Sequence, residues 1–527
     1  MPNHTREQWG SRSGFLLAAI GSAVGLGNIW RFPAEAYKNG GGAFLLPYLI
    51  ALLTAGLPLL ILEYGVGRKY RKSPPLAFRR LTRPAESIGW WQVAICFVIA
   101  AYYSVILAWA LRYAGFSFGK DWGSKPDEFF AGEFLKTGEP GMPTQWVGGV
   151  FWPMVVIWLV VLVILWLGVR RGIELANRVF IPMLVLFFGA LVVRALTLDG
   201  ASKGLDAFFS PEWSALGEGS VWVAAYGQIF FSLSIGFGIM VTYASYLGRK
   251  ADLSGSALVA GFANSSFEIL AGIGVFATLG FMAQANGVGV GEVVGGGPGL
   301  AFVTFPTVIS EMPMGELFGV LFFVSLAIAG LTSLISIVQV VVSSVQDRLN
   351  LSRSTAVLSV TGALAVVSLA IFPTDVGLPV LDAADHFINA YGIVLAALVF
   401  LLVVGWGVRK LPAFQEHVNE TSAVRLGTWW RVCLGVITPV GLGWMLFDSL
   451  RGEFEENYEG YSTSFLIWTG WSVAIGAILV GVLLALVSSR KPVATDDTNI
   501  DADDAADGAS SGAGAGGQGQ VSKRRES

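Results

Sequence analysis

Long apolar runs joined by short polar connections dominate the chain. About twelve of them approach the ~20 residues a helix needs to cross the ~30 Å core of a bilayer. They lie near 13–38, 42–70, 88–118, 147–168, 174–198, 217–247, 255–285, 313–346, 354–373, 378–408, 425–449 and 463–489. Two runs depart from the pattern because small residues interrupt their centres. The first holds Gly21-Ser22-Ala23-Val24-Gly25-Leu26-Gly27-Asn28, followed by Arg31-Phe32-Pro33. The sixth holds Phe231-Ser232-Leu233-Ser234-Ile235-Gly236-Phe237-Gly238.

Each glycine lowers helix stability by about 1 kcal/mol relative to alanine. The glycine cluster of the first run therefore favours an opened backbone. Opened backbone at mid-membrane persists only where it lines a cavity or is buried in protein. Close helix packing is the competing account, since Gly21 and Gly25 form a GxxxG. A dinucleotide-binding loop is excluded, because no strand precedes the glycines. Taken singly, each break fits packing as well as it fits a cavity. The pair says more. If spans 1–5 and 6–10 form two inverted repeats, the breaks stand at corresponding positions, which points to a transport site at the repeat interface. A half-helix N-terminus there suits a carboxylate, and freed carbonyls suit a hard cation such as sodium.

Composition agrees. Of 527 residues, 54% are hydrophobic and 13% charged, where soluble domains carry about 25% charged. The mean hydropathy is +0.64, which also belongs to the membrane class. A net charge of −3 argues against a nucleic-acid partner. Cys96 and Cys433 lie in apolar runs, so no disulfide framework is implied. His4, His386 and His417 are scattered, so no histidine metal site is implied. No nucleophile or acid–base constellation supports an enzyme or calls for an organic cofactor.

Charge orients the spans. Arg68, Lys69, Arg71, Lys72, Arg79, Arg80 and Arg83 share one side with Arg170, Arg171, Arg249, Lys250, Arg409 and Lys410. Asp121, Asp127, Glu128 and Glu133 lie on the other, with Glu453, Glu455 and Glu456. Lys and Arg favour cytoplasmic loops, so both termini are expected in the cytoplasm of a cell-membrane protein. Residues 1–12 are a polar N-terminal segment, and the first run lacks a small-residue cleavage site, so it is expected to be a retained span. Residues 13–408 form the expected ten-span core, and 409–490 carry spans 11 and 12. Residues 491–527 are an Asp-, Gly- and Ala-rich tail expected to be disordered and cytoplasmic.

Five separated stretches carry a family resemblance: Arg6-Glu7-Gln8-Trp9, Gly21 to Pro33, Asn39-Gly40-Gly41-Gly42-Ala43-Phe44, Gly227-Gln228-Ile229-Phe230-Phe231-Ser232-Leu233-Ser234 and Ala329-Gly330-Leu331-Thr332-Ser333. Together they resemble the neurotransmitter:sodium symporters, in particular the prokaryotic amino-acid transporters of LeuT type, over about residues 6–490. The resemblance implies an all-α, polytopic, LeuT-like fold with about twelve transmembrane helices in a 5+5 inverted repeat. It implies sodium-coupled import of a neutral, hydrophobic amino acid by alternating access. The partners are then the amino acid and membrane lipid; the oligomeric state stays open.

The same resemblance distributes roles. A first sodium is expected at the Ala23 carbonyl, Asn28, Ser232 and Asn264, with the substrate carboxylate as a further ligand. A second is expected at the Gly21, Val24 and Ala329 carbonyls and the Thr332 and Ser333 hydroxyls. The substrate carboxylate is expected at Gly25 to Gly27 and Tyr103, with Tyr102 as the neighbour that competes for that role. The side-chain pocket is expected from Ser22, Ile99, Phe231, Ser234, Phe237, Ser333 and Ile337. Amine carriers of the family have aspartate where this chain has Gly25, which argues for an amino acid. Arg31 and Asp385 are expected to close the outer side, directly or through water, with Phe237 as a lid. Arg6 and Asp347, near Trp9 and Tyr246, are expected to close the inner side. Gly172 and Pro182 mark where the fifth span unwinds in related prokaryotic members. Glu268, near Tyr48, Gln228 and Ser232, stands where chloride-requiring members have serine, which implies chloride independence. Two rival readings are an amino-acid sensor that does not translocate, and a carrier of an osmolyte such as betaine or proline.

Overall fold

Inside hydrocarbon a backbone amide or carbonyl has no water to bond, and a helix pairs each within its own segment. The apolar runs accordingly fold as helices. The computed structural model of the protein describes residues 7–489. In chain order the helices that build the membrane part are α1 (Arg12–Ala23), α2 (Leu26–Lys38), α3 (Gly42–Tyr70), α4 (Arg83–Phe116), α5 (Gly148–Trp166) and α6 (Val169–Leu196). The sixth run yields α7 (Gly219–Ser232) and α8 (Ile239–Ala244). Then come α9 (Leu253–Asn286), α10 (Gly315–Leu349), α11 (Arg353–Ile371), α12 (Gly377–Gly407), α13 (Thr428–Gly460) and α14 (Thr463–Ser488). No strand forms among the described residues; isolated bridges pair Gly41 with Pro211 and Trp146 with Thr374.

Ten of these helices are long and apolar enough to cross a membrane, and α1 with α2, bent by 52°, makes an eleventh. The sixth expected span is divided between helices of 14 and 6 residues, neither long enough to cross alone. Helix ends shift from expectation by several residues: α4 starts at Arg83 and α13 continues to Gly460.

Burial separates two classes of helix. The apolar windows of α4 and α10 are 83% and 72% buried, whereas those of α5, α6, α11, α13 and α14 are 22–33% buried. The first pair forms the core and the others turn apolar side chains outward, as lipid-facing helices must. Helix α10 packs on α4, α6, α11, α1 and α2 and so links the first broken span to both layers. By packing, one unit runs through Ala485, and residues from Leu486 on fall in a second. The site lies wholly in the first. Arg6 and the expected tail lie outside the described residues.

Candidate functional site

Helix α1 stops where Val24 turns extended (φ −75°, ψ 98°), its N–H still bonded to the Ile20 carbonyl at 2.7 Å. Gly25 is extended too (φ −129°, ψ −162°) and caps α2, its N–H donating to Asn28 Oδ1 at 2.9 Å. A side chain there would crowd its neighbours. A Cβ on Gly25 would lie 3.0 Å from Ser333 Oγ and 3.2 Å from Tyr103 Oη. The start of α2 is thus a bare backbone edge facing two hydroxyls.

The second break uses the left-handed region three times, at Ser234 (φ 53°), Gly236 (φ 92°) and Gly238 (φ 83°). Glycine reaches this region freely, whereas serine is uncommon there. Ser234 is held by donating to the Ser22 carbonyl at 2.8 Å, which ties one break to the other. Buried polar groups of α3 and α4 hold the rest. Glu63 Oε1 accepts from Gly236 N–H at 2.8 Å, Gln92 Nε2 donates to the Gly236 carbonyl at 2.9 Å, and Cys96 Sγ donates to the Phe237 carbonyl at 3.2 Å.

A cavity lies between the breaks. All twelve residues expected around the substrate line it: Ser22, Ala23, Gly25, Gly27, Ile99, Tyr103, Phe231, Ser232, Ser234, Phe237, Ser333 and Ile337. Leu26, Asn28, Tyr102, Asp385 and Asn389 complete the wall. The lining is therefore not free of charge, since Asp385 belongs to it. That carboxylate is already engaged: Tyr102 Oη donates to Oδ1 at 2.7 Å and Asn389 Nδ2 at 2.9 Å. Tyr102 is thereby drawn to α12, while the Tyr103 hydroxyl lies 3.5 Å from the Leu26 amide nitrogen. The two adjacent tyrosines divide between the outer acid and the opened backbone.

Three of the residues assigned to the first sodium form a buried hydrogen-bonded chain. Asn28 Nδ2 donates to Asn264 Oδ1 at 2.8 Å, and Asn264 Nδ2 to Ser232 Oγ at 3.1 Å, all three residues being buried. Of those assigned to the second, the three on α10 lie together. Thr332 Oγ1 donates to the Ala329 carbonyl at 2.9 Å, and Ser333 Oγ lies within reach of the Ala329 and Ser22 carbonyls at 3.2 and 3.3 Å. Glu268 is fully buried among neutral groups. Gln228 Nε2 donates to its Oε1 at 2.6 Å, Tyr48 Oη donates to its Oε2, and Ser232 bonds the carboxylate as well. Ser232 thus connects Glu268 to Asn264 and the first oxygen set.

On the outer side the ring beside Arg31 is not the expected one. The ring beneath Arg31 is Phe231, with the guanidinium 4.9 Å from its centroid, and Phe237 sits in the break instead. The ring that Arg31 covers is therefore Phe231. On the opposite side, Trp9 Nε1 donates to the Tyr243 carbonyl at 2.9 Å and Trp9 N–H to the Tyr246 carbonyl at 3.2 Å. Asp347 Oδ2 accepts from Ser73 N–H at 2.7 Å; its expected partner Arg6 lies outside the described residues. Helix α6 runs unbroken past Gly172 and Pro182, with a wide π turn at Val169–Glu174. Within that turn Glu174 accepts from Gly10 N–H at 2.6 Å and from Arg178 Nη2 at 2.6 Å. Glu174 escaped the sequence reading, as did Glu63, Gln92 and Asn389. Glu63 carries the signal that singled out Glu268, an acid inside an apolar run; the others carry none.

The comparisons with known proteins agree with this architecture. The family model described as the sodium:neurotransmitter symporter family matches residues 6–124 and 120–491. A sodium-dependent transporter of Methanocaldococcus jannaschii, itself uncharacterised, is 41% identical, over 92% of this chain and 99% of that protein. The sodium-dependent dopamine transporter of Caenorhabditis elegans is 29% identical, over 91% of this chain and 85% of that protein. Among solved structures, MhsT in complex with L-phenylalanine superposes with a TM-score of 0.71 at 31% identity, covering 84% of this chain and all of that one. Family and fold are those of transporters rather than enzymes. With two broken helices around one cavity and a family model spanning nearly the whole sequence, the chain belongs to the sodium:neurotransmitter symporter family, as a sodium-dependent, multi-pass membrane transporter of LeuT-like fold.

Proposed function

We propose that the protein carries a neutral, hydrophobic amino acid into the cell together with two sodium ions, without needing chloride. The observation behind this reading is the division of the cavity wall. One end offers the bare Gly25 backbone and the Tyr103 hydroxyl, suited to a carboxylate at a helix start. The other offers Ile99, Ile337, Phe231 and Phe237, suited to an apolar side chain. MhsT, of like fold, was solved with phenylalanine, which is in keeping with such a substrate. The Asn28–Ser232–Asn264 set would take the first sodium beside the substrate carboxylate, and the Ala329–Thr332–Ser333 set the second. Both are oxygen sets, as a hard cation requires. Substrate and sodium then favour each other reciprocally.

Glu268 supplies the negative charge beside the first set, so chloride is dispensable. Alternating access would proceed by closing Arg31, Phe231 and Asp385 on the outer side, then releasing Trp9, Tyr246 and Asp347 on the inner side. Ion pairs worth about 0–1 kcal/mol suit gates that open every cycle. Both termini face the cytoplasm and the chain resides in the cell membrane.

The test is reconstitution. Proteoliposomes with an imposed sodium gradient are screened against the twenty amino acids, betaine and proline included, in chloride and in gluconate. Concentrative uptake of hydrophobic amino acids in both anions, absent with potassium or choline, is expected. Binding without uptake would establish the sensor, and uptake confined to betaine or proline would establish the osmolyte carrier.

A further inference from the structure

Helix α6 touches the first broken span at two levels. At the lower one Glu174 grips the chain before α1, through Gly10 and the Ser11 hydroxyl at 3.1 Å. One turn further along α6, on the same face, stands Asn177. Its side chain is wholly buried, its Nδ2 donates to the Ile173 carbonyl at 2.9 Å, and its Oδ1 has no partner among the described residues. The Ile173 carbonyl can only accept, so the amide must turn its nitrogen there and its oxygen away.

That oxygen is directed at Gly21. A Cβ on Gly21 would lie 2.2 Å from Asn177 Oδ1, so only a glycine admits the amide. Backbone dimensions then put Oδ1 no more than about 6 Å from the Gly21 carbonyl oxygen. A buried, unpaired carbonyl-type oxygen costs on the order of 1–3 kcal/mol. Simple packing would be served better by leucine at this position. The orphaned oxygen stands beside the oxygen set assigned above to the second sodium, on the side of the chain's N-terminus. It has the chemistry that set has: neutral, hard and uncompensated.

We propose that Asn177 Oδ1 is a further cation ligand, holding sodium between the second sodium position and the N-terminal side of the protein. The inference rests on the reading of that second position. A cation leaving toward α6 would exchange the α10 hydroxyls for Asn177 before meeting water. This divides one costly dehydrated step into two, and it leaves the α6 π turn as the element whose opening completes release.

The experiment compares wild type, Asn177→Asp, Asn177→Leu and Asn177→Ser, each purified and checked for a monodisperse fold. Equilibrium binding of radioactive sodium needs no substrate. A carboxylate in place of the amide should tighten it about tenfold, because ligand charge sets cation affinity. In proteoliposomes, half-inhibition of uptake by sodium on the N-terminal side should need about tenfold less sodium in Asn177→Asp. It should need at least about threefold more in Asn177→Leu, with Asn177→Ser between, since exchange through the amide is lost. The sodium requirement from the opposite side should stay within about twofold of wild type in all three, because that side does not meet Asn177. Folded Asp and Leu variants with wild-type sodium binding and wild-type inhibition would overturn the proposal. Equal shifts from both sides would overturn it too, by making Asn177 part of the main position. A wild type that binds sodium yet transports no amino acid would instead refute the substrate reading, and the binding arm would still judge Asn177.

Discussion

Replacing Glu268 by serine isolates the charge that the proposed mechanism needs. Asn264 and Glu268 are four residues apart on α9, which places their side chains about 6 Å apart. A unit negative charge at that separation from a sodium ion on Asn264 is worth about 3 kcal/mol at an effective dielectric of about 20. That is on the order of 100-fold in sodium affinity. Serine also orphans Gln228 Nε2, whose one partner among the described residues is the carboxylate, whereas Tyr48 keeps Ser265 at 2.8 Å. One buried unpaired donor adds about 1–3 kcal/mol. A chloride ion in the vacated volume would accept from both donors and restore the charge. Uptake against sodium concentration is therefore measured in chloride and in gluconate for wild type, Glu268→Ser and Glu268→Gln. Wild type should be indifferent to the anion. Glu268→Ser in gluconate should need about 30- to 100-fold more sodium, and chloride should recover most of that loss. Glu268→Gln should lose sodium affinity similarly but gain nothing from chloride, because its amide fills the space. A wild type that stops in gluconate, or an active Glu268→Ser protein blind to chloride, would refute the reasoning.

Three further outcomes follow from the geometry. A Cβ on Gly27 would lie 2.1 Å from the Phe231 ring, so Gly27→Ala must displace that ring. Uptake should fall at least about tenfold and the thermal midpoint by several degrees, as overpacking of about 1–3 kcal/mol requires; unchanged uptake would remove Phe231 from the gate. Tyr103→Phe should weaken substrate binding about tenfold, through one lost hydrogen bond to a carboxylate, while Tyr102→Phe should change it less than about threefold. Calorimetry that ranks the two in the opposite order would move the carboxylate contact to Tyr102. Glu174→Gln removes the charge that holds Gly10, Ser11 and Arg178. Maleimide labelling of an introduced Ala18→Cys, buried in α1, should then run at least about threefold faster, since charged hydrogen bonds are roughly twice as strong as neutral ones; equal rates would show that Glu174 does not restrain α1.

The family, the helical class and most of the cavity wall were legible in the sequence because the membrane and the site leave strong local marks. Hydrocarbon forces each span to be a continuous apolar run, so the runs are visible without any knowledge of packing. The two breaks announce themselves by the residues that permit them. A Cβ on Gly25 would crowd two hydroxyls, and Gly236 and Gly238 occupy backbone that side chains resist. Glu268 is visible for the complementary reason, as an acid where an acid is costly.

What the sequence left undecided depends on which groups meet across helices. Tyr102 and Tyr103 are adjacent and identical in chemistry; only the placement of α12 sends one to Asp385 and leaves the other at the α2 backbone. Arg31 on α2 leans over Phe231 of α7 rather than over Phe237, a relation between elements that no residue pattern encodes. Asn177 is one polar residue on a lipid-facing helix until the fold sets its unpaired oxygen against Gly21. Local chemistry decides where a helix can form or must break. Side-chain pairing is decided by the rotation and depth of neighbouring helices, and those are products of packing over the whole bundle.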